Sequence, residues 1–414
     1  MTVDPCMVRE ASSLLTVEEA NKRMLGAIQP SMAHETLPLK QALGRVLSHD
    51  VISPMALPSF CHSAMDGYAF SSRDVLDYQQ FALKVVGTSW AGRPFEGVMK
   101  QGECVRIFTG AVLPEKTDSV VMQEDIHHLN NVIQLPASVA CYKHVRMTGE
   151  DVAEGQVLCA AGHLISAIDL ALFASAGLPA VSVIRQLKIV YFSTGNELVS
   201  LGSTLKLGEI YDSNRYSLYG LLRHACFDVT DGGIIADDKD TLTEVLVAAS
   251  NVYDVIITTG GASVGEADYV KTVLETIGQL NFWKIAMKPG KPLTFGQIGQ
   301  CYFFGLPGNP IAVMVTFERL VKQALLYLAG HAPQNPWYVK AICTTPLKKT
   351  RGRQEYLRGI LWQNDEGEFF VASAGQQGSH ILSSASAANC YIVLDAESIG
   401  AVVNERVKVM MFSA

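Results

Sequence analysis

The stretch from Leu187 to about Leu328 constrains the fold more than any other part of the chain. Short apolar runs alternate there with longer segments of helical period. Lys188–Ser193 reads as a buried strand, and Asp228–Ile235, Tyr253–Thr259, Phe282–Met287, Leu293–Phe295 and Cys301–Phe304 as further strands. Asp212-Ser213-Asn214 is suited to capping a helix that runs to Cys226. Further helices are expected over Lys239–Ser250, over Ala267–Ile277 and onward from Pro310, a residue that suits a first turn. Strands joined through helices imply right-handed crossovers, hence a central αβα domain with a mainly parallel sheet.

The flanks have a different texture. Thr16-Val17-Glu18-Glu19 is a capping box that opens a helix to about Ile28, and Pro38–Leu47 reads as a second short helix. From about Ser53 to His144 short apolar runs are broken by Gly and Pro: Phe81–Val86, Cys104–Phe108 and Ser119–Gln123. Asn130-Asn131 between two apolar segments predicts a hairpin, and the region is mostly β. The most apolar stretch, Leu164–Ile184, is interrupted by Asp169 and by Gly177-Leu178-Pro179. Those breaks argue against a bilayer helix and for a helix Ser166–Ala176 followed by a strand Ala180–Ile184. After His331-Ala332-Pro333 strands return: Val339–Cys343, Glu355–Trp362, Phe369–Ala372, Cys390–Leu394 and Val407–Phe412. Gln363–Gly367 supplies turn chemistry there, and a small barrel or sandwich is expected.

Composition narrows the function. Hydrophobic residues make up 49% of the 414 positions and charged residues 18%, which excludes general disorder. The net charge of −7 argues against binding a nucleic-acid backbone. Asp4, Arg9 and Glu10 precede any apolar run, so no signal peptide is expected. Nine scattered cysteines without a C-x-x-C pair fit reduced cytoplasmic thiols better than a disulfide frame or a zinc site.

In an open parallel sheet, ligands bind beyond the carboxyl ends of the strands. The chemistry-bearing residues fall there: Gly195-Asn196-Glu197, Asp237-Asp238, Gly260-Gly261-Ala262-Ser263 through Asp268, Lys288-Pro289-Gly290-Lys291, and Pro307-Gly308-Asn309-Pro310. Glycines let backbone N–H groups approach an anion, and Lys288 and Lys291 can neutralise phosphate or another oxyanion. Glu197, Asp212, Asp237 and Asp268 offer oxygen ligands suited to Mg²⁺. Taken singly, each loop is also an ordinary turn, N-cap or helix start; jointly they describe a site for a phosphorylated or nucleotidyl ligand with a metal. Asp66 in His62–Ala69, Thr109-Gly110-Ala111 and Gly149-Glu150-Asp151 read as plain loops, and the basic run Lys348–Arg353 as a solvated face by default, with anion binding as the alternative.

Ordered along the whole chain stand SAMDGYA (Ser63–Ala69), TGA (Thr109–Ala111), GED (Gly149–Asp151), STGNEL (Ser193–Leu198), YDSNR (Tyr211–Arg215), GGASVGEADY (Gly260–Tyr269), KPGKP (Lys288–Pro292), GLPGNP (Gly305–Pro310) and the segment Gly375–Ser384. In this set the chain resembles the MoeA and gephyrin E-domain family of molybdopterin molybdenumtransferases. The resemblance implies a multidomain α/β plus β protein in four parts: an elongated helical region from 1–53 with 146–184, a β-rich domain over 54–145, the αβα domain over 185–328 and a C-terminal β-barrel over 329–414. It implies a homodimer whose active site is shared between subunits, so that Asp66 and Thr109 would reach the Gly-rich loops in trans. The implied reaction inserts molybdenum from molybdate into adenylylated molybdopterin and releases AMP, with Mg²⁺.

By matched position, Asp66, Glu197, Asp237 and Asp268 would be catalytic, the last three holding metal. Thr109, Arg146, Asp151, Asp212, Gly260, Gly261, Ser263, Lys284, Lys288, Lys291, Pro307, Gly308, Asn309, Pro310 and Ser379 would bind the cofactor. The chain departs from the family pattern at Cys61-His62 (usually Asp-Asn), at Met147-Thr148 (usually more basic) and at Asn196 (usually Asp). The competing readings are a molybdopterin adenylyltransferase, against which the β-rich and barrel regions argue, and a scaffold of the gephyrin E-domain type. Docking to an adenylyltransferase and to acceptor molybdoenzymes is a further expectation.

Overall fold

The computed structural model describes residues 14–260 and 269–412. At its centre lies a six-stranded sheet in the order Phe227–Ile235, Leu187–Thr194, Val255–Thr259, Cys301–Leu306, Pro292–Ile298, Gln279–Lys284. The first four strands are parallel. Pro292–Ile298 runs against both neighbours, so Gln279–Lys284 again points the way of the first four.

Alternate residues of these strands feed two cores. Ile189, Tyr191, Val255, Ile257 and Phe304 face one, and Val190, Phe192, Ile256 and Phe303 the other. Burial on both faces is why Leu187–Thr194, Val255–Thr259 and Cys301–Leu306 are nearly continuous apolar runs, while the edge strand Phe227–Ile235 is largely exposed. Helices Lys239–Ser250 and Tyr269–Ile277 cover one face with Leu242, Leu246, Val273 and Leu274. Asn214–Leu221 and a run from Pro310 to Leu328, interrupted by a π turn at Phe317–Val321, cover the other with Leu218, Ile311, Leu320 and Leu325. Helix Val17–Ala27 packs Val17, Ala20 and Met24 on that same core. Its capping box is formed: the Glu19 N–H donates to Thr16 Oγ1 at 3.1 Å and the Thr16 N–H to Glu19 Oε2 at 2.9 Å. Such a cap is worth about 1 kcal/mol.

Val339–Cys343, Gln354–Gln363, Phe369–Ser373, Cys390–Leu394 and Arg406–Met411 each pair with two of the others and close a barrel around Cys343, Val371, Ile392 and Val409. Met287–Lys288, which follows the last strand of the central sheet, is annexed by the barrel through pairing with Gln354 and Glu355. A third sheet of six strands includes Gly67–Phe70, Ala82–Ser89, Glu103–Ile107 and Ser119–Met122. The hairpin His127–Leu129 to Val132–Gln134 completes it, turning at Asn130 with φ +56°.

His34–Pro38 pairs antiparallel with Ala180–Ile184, and Val51–Ile52 with Val157–Cys159; helix Ala167–Ser175 is capped by Ser166 and Asp169. No described helix is long and apolar enough to cross a membrane.

Three sequence expectations need correction. The helix over Pro38–Leu47 is absent: Pro38 ends a strand, and only a 3₁₀ turn, Leu39–Gln41, follows. Pairing with Ala180–Ile184, distant in sequence, overrides the local pattern. The helix capped near Asp212 stops at Leu221, not Cys226. Phe282–Met287 is not one strand, because the chain leaves the central sheet after Lys284 and enters the barrel at Met287.

Candidate active site

The four parallel strands finish level. Thr194 pairs with Ile235, Ser193 with Thr259, and Thr259 with Leu306. Hydroxyls knit the edge: the Thr194 Oγ1 donates to Thr259 O at 3.3 Å, and Ser193 Oγ lies 3.1 Å from Thr259 Oγ1. Gly260 follows with φ +87°, and a Cβ there would sit 2.7 Å from Thr194 O and Oγ1. Only glycine lets these two loops touch.

Glu197 and Asp237 meet on this edge. The Glu197 carboxylate folds back over Gly195, 2.5 Å from where a Cβ of that residue would lie. The Asp237 N–H donates to Asn196 Oδ1 at 3.1 Å, so the Asn that departs from the family pattern still supplies an acceptor oxygen. Burial pushes the Asp237 carboxyl above its ordinary range; the Asn196 N–H opposes this and the Glu197 charge adds to it. A nearby cation would relieve both causes, which makes the pair fit to hold one. Neighbouring Asp238 is spent as the helix cap, accepting from Thr241 N and Oγ1 at 2.9 and 2.7 Å. Asp212 is 2% exposed; its Oδ1 accepts from the Arg215 N–H at 3.2 Å, and its Oδ2 has no partner among the described residues. Gly261, Ser263 and Asp268 lie outside the described residues.

Beside this edge a cleft of about 830 Å³ opens between the central sheet and the barrel. Gly260, Lys291, Pro307, Gly308 and Asn309 line it from the central domain, while Lys288, Lys348, Arg353, Gln377 and Ser379 line it from the barrel. The Lys288 Nζ donates to Glu355 Oε1 at 3.3 Å; the lysine side chain is half-exposed and the glutamate buried. Asn214 Nδ2 donates to Gly308 O at 2.7 Å, and the Ile311 N–H to Ser379 O at 3.1 Å, so the Pro307–Pro310 loop is held from two sides.

Sequence reasoning missed Arg358. Fully buried, it donates to the carbonyls of Gln376, Gln377 and Gly378 at 2.7, 3.3 and 3.1 Å and to Ser384 Oγ at 3.0 Å. It thereby sets the loop that carries Ser379. An arginine inside an apolar strand was the available signal, since a buried guanidinium must be matched by acceptors. Lys348 and Arg353, from the basic run read as a solvated face or an anion-binding one, line the cleft.

The β-rich sheet carries a separate cluster. Thr109 donates through its N–H and its hydroxyl to Asp66 Oδ1, each at 2.8 Å, and holds that carboxyl below its ordinary range. His62–Ser63 pairs with Val145–Arg146, which brings Arg146 alongside; Arg146 in turn binds Glu150 at 2.8 Å. The Asp151 N–H donates to Leu57 O at 3.0 Å and its side chain is exposed. None of Asp66, Thr109, Arg146 and Asp151 lines the cleft. Glu197, Asp212, Asp237, Lys284 and Pro310 do not line it either: the Lys284 carbonyl accepts from the Leu15 N–H at 2.9 Å, and Pro310 opens a helix.

Lysines and glycine-rich loops lining a cleft between a mainly parallel sheet and a closed barrel define a class: a protein that handles phosphate or oxyanion ligands. Comparison with known proteins narrows the class. Residues 15–177 match the MoeA N-terminal region (domains I and II), 191–327 the probable molybdopterin-binding domain and 340–412 the MoeA C-terminal region (domain IV). Over 402 residues the chain is 40% identical to a molybdopterin molybdenumtransferase of Haemophilus influenzae, covering 97% of this chain and 99% of that one. A protein of the same name from Nostoc is 35% identical over 87% of this chain and 84% of its own. The crystal structure of the molybdopterin biosynthesis MoeA protein of Pyrococcus horikoshii superposes with a TM-score of 0.84 at 29% identity, covering 96% of this chain and all of that one. The chain belongs to the MoeA family of molybdopterin molybdenumtransferases.

Proposed function

We propose that this protein inserts molybdenum from molybdate into adenylylated molybdopterin and releases AMP. One observation carries the reading: Gly260 lines the cleft together with Lys288, Lys291, the Pro307–Asn309 loop and Ser379, and packs against Thr194, three residues before Glu197. Two anions must be brought together in this reaction, an oxyanion and a phosphoanhydride. Lysine charges and backbone N–H groups offset their repulsion. Lys288, with Lys348 and Arg353 lining the same cleft, provides positive charge for molybdate, while Glu355 fixes the direction of the Lys288 ammonium. Gly260 and Gly308 leave backbone room for the phosphates. Mg²⁺, held by Glu197, Asp237 and Asp268, would supply the charge that the departing phosphate oxygen requires.

The reading extends to assembly. The protein acts as a cytoplasmic homodimer in which Asp66, Thr109, Arg146 and Asp151 of one subunit complete the cleft of the other; their separation from the cleft within a single chain supports this. The four-part division at 1–53 with 146–184, 54–145, 185–328 and 329–414 belongs to the same reading, as does docking to an adenylyltransferase and to acceptor molybdoenzymes.

The test is AMP release from adenylylated molybdopterin in the presence of Mg²⁺, with and without molybdate. AMP released only with molybdate, together with active cofactor, is the expected result. Binding of the adenylate without AMP release would replace the enzyme by a carrier or scaffold.

A further inference from the structure

Away from the cleft, one group of side chains converges that the proposed reaction does not use. Cys159 ends the strand Val157–Cys159, Asp169 lies in the first turn of helix Ala167–Ser175, and His163 stands in the loop between them. The Cys159 thiol donates to Asp169 Oδ1 at 3.5 Å, and His163 Nε2 lies 2.8 Å from Asp169 Oδ2. One donor atom from each of the three lies within 4.8 Å of the other two.

The backbone that presents them is pinned on both sides. The Gly162 N–H donates to Leu47 O at 2.8 Å, the Leu47 N–H to His163 O at 2.9 Å, and the Ile165 N–H to Arg45 O at 2.9 Å. The Ala161 N–H donates to Asp50 Oδ1 at 2.8 Å. The three donors are therefore set in place by the fold. Helix capping accounts for Asp169, whose Oδ2 accepts from the Ser166 N–H at 2.7 Å, but it calls for neither a thiol nor an imidazole on the same carboxylate. Cys159 and Asp169 are half-buried and His163 is exposed, which leaves an entry path from solvent.

A sulfur, a ring nitrogen and one carboxylate oxygen are the donor set of a zinc-class ion; Mg²⁺ takes oxygen ligands. Ligands on a tetrahedral zinc stand roughly 3.5 Å apart, so the set has little distance to close. We propose that Cys159, His163 and Asp169 bind one zinc-class divalent cation, leaving a fourth position for water, and that the ion clamps the strand Val157–Cys159 to the helix Ala167–Ser175. On binding, the Cys159 thiol gives up its proton to solvent and coordinates as thiolate. The His163 proton moves to Nδ1 so that Nε2 coordinates, and Asp169 exchanges two hydrogen bonds for the ion while keeping that from Ser166. Nothing is oxidised. The sequence could not mark this site, because its C-x₃-H-x₅-D spacing contains a single cysteine.

The full-length reduced protein, stripped with a chelator, is titrated with Co²⁺ as the spectroscopic stand-in for Zn²⁺. The expected result is a thiolate-to-cobalt charge-transfer band with tetrahedral d–d bands, saturating at one ion per chain, displaced by Zn²⁺ and untouched by Mg²⁺. Cys159→Ser removes the band. His163→Ala, at an exposed position that does not threaten folding, weakens Co²⁺ binding roughly tenfold or more. Zn²⁺ raises the melting temperature of the wild type and not of Cys159→Ser. The absence of a charge-transfer band in the wild type, or its persistence in Cys159→Ser, overturns the proposal; so does unchanged affinity in His163→Ala.

Discussion

Single side chains and single hydrogens decide the site. Lys288 faces the cleft at a defined angle because Glu355, buried and one strand across, accepts from it. Ser379 faces the same space because Arg358 gathers three carbonyls beneath it. The Asp66 carboxyl sits below its ordinary range because Thr109 gives it two hydrogen bonds. Gly260 is the sharpest case, combining φ +87° with a Cβ position 2.7 Å from Thr194 O. Gly260→Ala should cost about 2 kcal/mol by denaturant unfolding and lower AMP release, since the Thr194 loop must move to accommodate the methyl group. An unfolding midpoint equal to that of the wild type would show that the two loops do not need their close approach.

Elements hold the site from its far end as well. Asp254 accepts both Arg185 guanidinium nitrogens, at 2.7 and 2.8 Å, and the Lys188 N–H at 2.8 Å, while its carbonyl accepts from the Tyr302 N–H at 2.9 Å. Three strands are thereby fixed opposite the ligand edge. Burial alone would raise the Asp254 carboxyl, but Arg185 and the Lys188 N–H outweigh it and the group titrates below its usual 3.8. A carboxyl lowered in the folded state stabilises above the unfolded value and loses that contribution as pH falls through the folded one. Asp254→Asn should therefore destabilise by on the order of 1–2 kcal/mol at pH 7, with the gap to wild type closing as pH drops below about 4. A constant gap in melting temperature across that range would contradict it. Elements of this kind were legible where local signals sufficed: Lys239–Ser250, Ala180–Ile184, Val339–Cys343 and Cys390–Leu394 have the bounds their periods and caps imply. Pro38–Leu47 failed because a partner some 140 residues away decides its conformation. The barrel wall of the cleft was illegible for the same reason: that Arg358 meets Gln376–Gly378, or that Arg353 and Lys288 line one cleft, is a matter of long-range packing and not of spacing.

The molecule as a whole turns these walls into one site. Arg319, buried on the π turn, donates from Nε to Tyr356 Oη at 3.0 Å, and Tyr356 both lines the cleft and donates to Gln354 at 2.6 Å. Helix layer and barrel are joined where the ligand would lie. The Asp66 cluster stands apart from that cleft, and sharing between subunits makes a specific demand. Mixing Asp66→Ala with Asp268→Ala should restore part of the activity that each lacks, because a mixed dimer holds one intact site; mixed dimers that form and stay inactive would refute the arrangement in trans. Whether the cleft lysines take the oxyanion while the Glu197–Asp237 edge acts on the phosphoanhydride is decided by single-turnover AMP release across a molybdate series. Glu197→Gln should slow release by on the order of a hundredfold at every molybdate concentration, and Lys288→Gln should raise the molybdate needed for half-maximal release roughly tenfold. Release that ignores molybdate in the wild type, or that neither substitution alters, would contradict this division.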